Sequence, residues 1–95
     1  MAAYIIVNVE VHDSERYEDY RKSVLPTLGP YGGRFLVRGG KVEVLEGGWT
    51  PKRFVIVEFP STDKAREWWH SAEYAEPKTL RQATSCTEMI LVEGI

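Results

Sequence analysis

The chain reads as an α+β protein, a ferredoxin-like β-α-β-β-α-β sandwich with an extra β-hairpin, and three observations predict it. Several segments alternate apolar and polar residues with the period of two that a strand requires. Two others repeat apolar residues at helical spacing, and the two kinds follow one another in the ferredoxin-like order. No internal repeat, linker or low-complexity stretch divides the 95 residues, so 1–95 is read as a single domain.

Tyr4 to Val11 (YIIVNVEV) places Ile5, Val7, Val9 and Val11 on one face and Tyr4, Ile6, Asn8 and Glu10 on the other, which is a strand. Past His12 the period changes. Asp13 is a natural helix cap, Ser14 and Glu15 suit a first turn, and Tyr17, Tyr20, Val24 and Leu28 recur at helical spacing until Pro26, Gly29 and Pro30 stop the helix. In RFLVRGGKVEVLEGGW (Arg34 to Trp49), Gly39 and Gly40 fit the centre of a type I′ turn, which pairs Val37 with Val42 and Phe35 with Val44. One face of that hairpin carries Phe35, Val37, Val42 and Val44; the other carries Arg34, Leu36, Arg38, Lys41, Glu43 and Leu45. The glycine spacing matches neither GxGxxG nor a phosphate-binding P-loop, so these glycines are read as turn formers.

Lys52 to Phe59 is the next strand, with Val55, Val57 and Phe59 on one face and Phe54, Ile56 and Glu58 on the other. Ser61 caps a second helix in which Ala65, Trp68, Trp69 and Ala72 are spaced i, i+3, i+4, i+7. Pro77 opens a further short helical turn through Leu80, Arg81 and Ala83, and Cys86 to Glu93 is the last strand.

Twelve basic residues against 14 acidic ones give a formal charge of -2 with no block of like charges, which argues against nucleic acid and anionic membranes as partners. A lone cysteine, no signal-peptide pattern and no apolar run near membrane length make the cytoplasm the simplest compartment. Cys86 lacks a neighbouring base and is read as a small buried hydrophobe. His12 and His70 stand far apart with no metal-ligand spacing, no nucleophile elbow surrounds any serine, and no histidine has an axial-haem context, so neither metal nor cofactor is expected.

With both helices on one sheet face, the other face is left with Tyr4, Ile6, Phe54 and Ile56, and by the same parity Met89 and Leu91. A second copy is the most economical cover, so a homodimer is expected, forming a dimeric α/β barrel. The polar residues assigned to that covered face are Asn8, Glu10, Arg34, Arg38 and Glu58, with the parity vulnerable to a single β-bulge. Arg38 and Glu58 are the candidate catalytic pair: a guanidinium to grip a carboxylate or enolate, and a partly desolvated glutamate as general base. The alternative is a structural ion pair. Asn8 and Arg34 join them as candidate ligand-binding residues. Of Trp68 and Trp69, one is core and the other, taken as Trp69, roofs the pocket, with Ser71, Tyr74 and Arg81 near its opening. Tyr17 and Tyr20 are read as packing residues with wet hydroxyls.

The stretches YGGRFLVRGG (Tyr31 to Gly40), VEVLEGGWTPKR (Val42 to Arg53), EFPS (Glu58 to Ser61) and AREWWHSAEY (Ala65 to Tyr74), with the late LRQA and LVEG, together resemble domain-of-unknown-function family 1330, within the dimeric α/β-barrel superfamily. The resemblance spans almost the whole chain. It implies the ferredoxin-like fold and a dimer, while the superfamily's antibiotic biosynthesis monooxygenases, muconolactone isomerases and haem-dependent enzymes imply no single chemistry. Two readings follow: a cofactor-independent enzyme acting on a small carbonyl or carboxylate metabolite in a pocket between sheet and helices, or a non-catalytic dimeric ligand-binding or interaction module.

Overall fold

Alternation along the first strand decides which way the sheet faces. In the computed structural model, which describes residues 1–95, Ala3, Ile5, Val7 and Val9 of β1 (Ala3–Val11) are buried while Tyr4, Ile6 and Asn8 are half-buried. The chain continues through α1 (Ser14–Leu28), β2 (Arg34–Arg38), β3 (Arg53–Phe59), α2 (Thr62–Trp69), α3 (Ala72–Thr84) and β4 (Ser85–Glu93). The strands lie in the order β2-β3-β1-β4, each neighbouring pair antiparallel. The helices supply Tyr17, Tyr20, Val24, Leu28, Ala65, Trp68 and Tyr74 to one core with Ile5, Val7, Val9, Val55, Val57 and Phe59. This is the expected ferredoxin-like layer of helices on one side of a sheet.

Local chemistry explains the helix limits. Asp13 Oδ1 accepts the Arg16 N–H at 3.3 Å and opens α1. Pro26 does not stop the helix as its residue type suggested; α1 runs on to Leu28. The proline sits in an exposed part of the last turn, and continuing the helix past it buries Thr27 and Leu28. A 3₁₀ turn (Gly29–Tyr31) follows, closed by Gly32 at φ +73°. Ser71 divides the second helical region more decisively than Pro77 does: its Oγ accepts the Tyr74 N–H at 3.2 Å and donates to the Trp68 carbonyl at 2.7 Å. Ser71 therefore ends one helix and caps the next, and Pro77 is absorbed inside α3.

Three expectations are corrected. The hairpin across Gly39 and Gly40 does not form. A type I′ turn needs positive φ at both glycines, and only Gly39 has it (+73°). The chain instead follows β3, the Gly39 N–H bonding to the Phe54 carbonyl at 2.8 Å, and residues 40–52 add no strand. Their apolar side chains stay in solvent, Leu45 at 90 % and Trp49 at 62 % exposure.

The second correction is a β-bulge. Arg34 pairs with Glu58 and Phe35 with Val57, Leu36 is skipped, and Val37 then pairs with Ile56 and Arg38 with Val55. One unpaired residue reverses the parity of the rest of β2, so Val37 joins the open face and Arg38 turns toward the helices. The third concerns β4. Met89 lies opposite Val7 and Leu91 opposite Ile5, on the helix side, whereas Ile90 opposite Ile6 and Val92 opposite Tyr4 occupy the open face. Cys86, paired with Glu10, is exposed rather than buried.

The open face is apolar nonetheless, carrying Ile6, Phe54, Ile56, Ile90 and Val92. The molecule is a slab of 36 × 35 × 16 Å, a thickness that leaves room for one sheet and one helical layer. No helix is long and apolar enough to cross a membrane.

Candidate functional site

Between sheet and helices the core is incompletely filled. Val7 and Val9 of β1, Val55 of β3 and Phe35 of β2 line one side of a cavity of about 30 Å³, and Tyr17, Tyr20 and Val24 of α1 line the other. That is room for one or two waters. Four arginines share its lining: Arg21 from α1, Arg38 from β2, Arg53 from β3 and Arg81 from α3. No aspartate, glutamate, histidine, lysine or cysteine accompanies them.

Sequence periodicity places each of these side chains. Tyr17, Tyr20, Arg21 and Val24 form an i, i+3, i+4, i+7 stripe, so Arg21 travels with the core face of α1. Tyr74, Pro77, Arg81 and Thr84 form the buried stripe of α3. Arg53 has the parity of Val55 and Val57, and Arg38 reaches the cavity through the bulge.

Arg38 donates from Nη2 to the Arg21 carbonyl at 2.5 Å, and its guanidinium lies 4.3 Å from the centre of the Phe35 ring. Desolvation, and then the like charges of Arg21 and Arg53, hold its pKa below the usual arginine value. Arg53 stands 5.8 Å from the Tyr17 ring, and the Nε atoms of Arg21 and Arg53 are buried with no hydrogen-bond partner. Arg21 has one acid, Glu18, 3.1 Å away on the exposed side of α1. Arg38, Arg53 and Arg81 have no carboxylate partner.

Arg81 is only 4 % exposed. Its Nε donates to the Tyr74 hydroxyl at 3.2 Å, and its guanidinium stands 5.7 Å from the Trp69 ring. The Tyr74 hydroxyl is in turn 3.0 Å from that of Tyr20. Burial, and then the neighbouring Tyr74, push the Tyr20 pKa well above the ordinary phenol value, so Tyr20 remains a neutral hydroxyl. Tyr20 is 8 % exposed, and its hydroxyl meets that of Tyr74 rather than open solvent alone.

The candidate pair Arg38 and Glu58 is not brought together. Glu58 lies on the open face and is gripped by its cross-strand neighbour Arg34, whose Nε and Nη2 both stand 2.8 Å from Oε1. With Arg34 70 % exposed, this is a surface ion pair worth about 0–1 kcal/mol. It lies on the other face of the sheet from the cavity, whose lining does not include Glu58. Asn8, also on the open face, accepts the Lys52 N–H at 2.9 Å and ties the end of the long loop to the sheet. Ser71 is a helix cap. Tyr74 lies behind Tyr20, stacked on Trp68 at 3.9 Å between ring centres. Trp69 lines a second, more open space of about 220 Å³ beside Ala65, Arg66 and Leu91, which shares the walls Ile5 and Met89 with the cavity.

The fold has solved counterparts. A protein of unknown function from Rhodopseudomonas palustris, RPA0582, superposes with a TM-score of 0.80 at 20% identity, covering 99% of this chain and 82% of its own. SnoaB, a cofactor-independent oxygenase from Streptomyces nogalater, gives a TM-score of 0.69 at 14% identity, covering 99% of this chain and 93% of its own. At such identities the likeness concerns the fold. No curated protein matches the chain. The model of the family described as "Domain of unknown function (DUF1330)" matches residues 2–95, and the chain belongs to that family.

Proposed function

We propose that this protein binds a small, mainly apolar anion, a carboxylate or enolate on a hydrocarbon body, in the space between its sheet and helices, with Arg38 as the anchor for the negative end. One observation carries the reading: Arg38, Arg53 and Arg81 face an apolar cavity with no acid to neutralise them. A guanidinium leaves water at a large cost unless a counter-charge meets it, and a carboxylate offers the bidentate acceptor that it fits. The cavity itself holds too little for such a ligand. Met89, flexible and polarisable, stands between it and the Trp69 groove, and its rotation would join the two.

Ligand binding is favoured over acid–base catalysis by a side chain, because the polar groups of the lining are phenols and guanidiniums and none ordinarily titrates near neutral pH. The test is thermal stability and calorimetric binding with aryl and alkyl carboxylates against the matching amides at constant ionic strength. The acids are expected to raise Tm and the amides to leave it unchanged. Equal behaviour of acid and amide would remove the reading.

A second copy of the chain is proposed as cover for the open sheet face. Its support is the apolar row Ile6, Ile56 and Ile90, the last 57 % exposed, on a sheet with a single helical layer. Sedimentation should give a dimer at micromolar concentration, and Ile90→Glu a folded monomer. A wild-type monomer would refute the pairing.

A further inference from the structure

The direction of the buried hydrogen bonds can be worked out donor by donor. Arg81 Nε can only donate, so the Tyr74 oxygen accepts from it. Between Tyr74 and Tyr20 the proton has two possible owners. Were Tyr20 the donor, Tyr74 would accept twice and its own proton would have no acceptor, inside a residue with 0 % exposure. An orphaned buried donor is costly, so Tyr74 donates to Tyr20. The Tyr20 proton then remains, and no protein atom accepts it. Tyr20 lines the cavity whereas Tyr74 does not.

We infer that Tyr20 is a second recognition point, a hydroxyl polarised by Arg81 through Tyr74 that donates to a carbonyl, enolate or phenolate oxygen of the bound molecule. The inference rests on the anion-binding reading and narrows it. The preferred ligand carries a second oxygen acceptor besides the carboxylate met by Arg38, as an oxo acid does. The neutrality of Tyr20 suits this role, since a donor must keep its proton.

The probes are 3-phenylpropanoate, which has only the carboxylate, and phenylpyruvate, which adds a ketone. Wild type should hold the oxo acid about fivefold more tightly, the net worth of one ordinary hydrogen bond. Tyr20→Phe should erase that preference, bringing the ratio of the two affinities to about one, and Tyr74→Phe should reduce it by breaking the polarising chain. A second readout needs no variant: the Tyr20 hydroxyl proton, followed by NMR, should move downfield and exchange more slowly with the oxo acid than with its deoxo partner. An oxo preference that is absent, or that survives Tyr20→Phe, overturns the role of Tyr20 even though both acids bind. If neither acid binds, the anion-binding reading itself falls, and this inference with it.

Discussion

Replacing Trp68 by alanine should destabilise the protein by about 3–5 kcal/mol, the range for deleting a large buried aromatic side chain. Trp68 is 2 % exposed, stacks on Tyr74 at 3.9 Å and lies 5.5 Å from Phe59 between ring centres. Its Nε1 donates to Thr27 Oγ1 at 2.9 Å, tying α2 to the end of α1. Thr27 keeps its own bond to the Val24 carbonyl, so most of the loss is packing and cavity rather than an orphaned hydroxyl. Against a total stability of roughly 5–15 kcal/mol for a domain, this change approaches unfolding. Tm should fall by roughly 12 °C or more. Urea unfolding followed by far-UV circular dichroism measures the loss; a change below about 1 kcal/mol would place Trp68 outside the core.

The second large effect is on binding. Arg38→Met should weaken carboxylate affinity by about a hundredfold, the equivalent of losing a bidentate charge-assisted contact. Stability should move the other way or stay level. Methionine keeps much of the contact with Phe35, and it removes a charge that desolvation and the neighbouring Arg21 and Arg53 already disfavour. What is lost is one hydrogen bond to the Arg21 carbonyl. A variant no less stable than the parent, yet unable to bind the acid, is the signature of a side chain kept for a ligand. Unchanged affinity would deny Arg38 the anchor role. A loss of several kcal/mol would make it a structural strut.

The sequence made β1, β3 and α1 legible because each alternates or repeats cleanly on one side, as Ile5, Val7 and Val9 do. It was ambiguous where both parities are apolar. The run Met89-Ile90-Leu91-Val92 offers two residues to each face, and only the pairing of Val7 with Met89 settles which pair is inside. The Gly39-Gly40 hairpin failed because residue type permits a turn without requiring it. Arg21 and Arg53 were legible in principle, sharing the spacing of Tyr17, Tyr20 and Val24 or of Val55 and Val57. A charged side chain gives no sign from its type alone that it will line a cavity, since arginines are mostly exposed. Arg38 had the opposite fate, singled out from the sequence but assigned to the other face and paired there with Glu58, whereas the bulge turns it toward the helices.

That error points to how readily such a protein could be rewired. Leu36 is a single unpaired residue in an edge strand, and removing it would restore ordinary pairing up to Arg38. Arg38 would still lie opposite Val55 and face the helices; it reaches the open face only if Leu36 stays and takes the place of Val37 opposite Ile56, which brings Arg38 opposite Phe54. A slip of one residue in this edge strand, with no change at any polar position, would thus take a cation out of the cavity lining and add a charge to the apolar face.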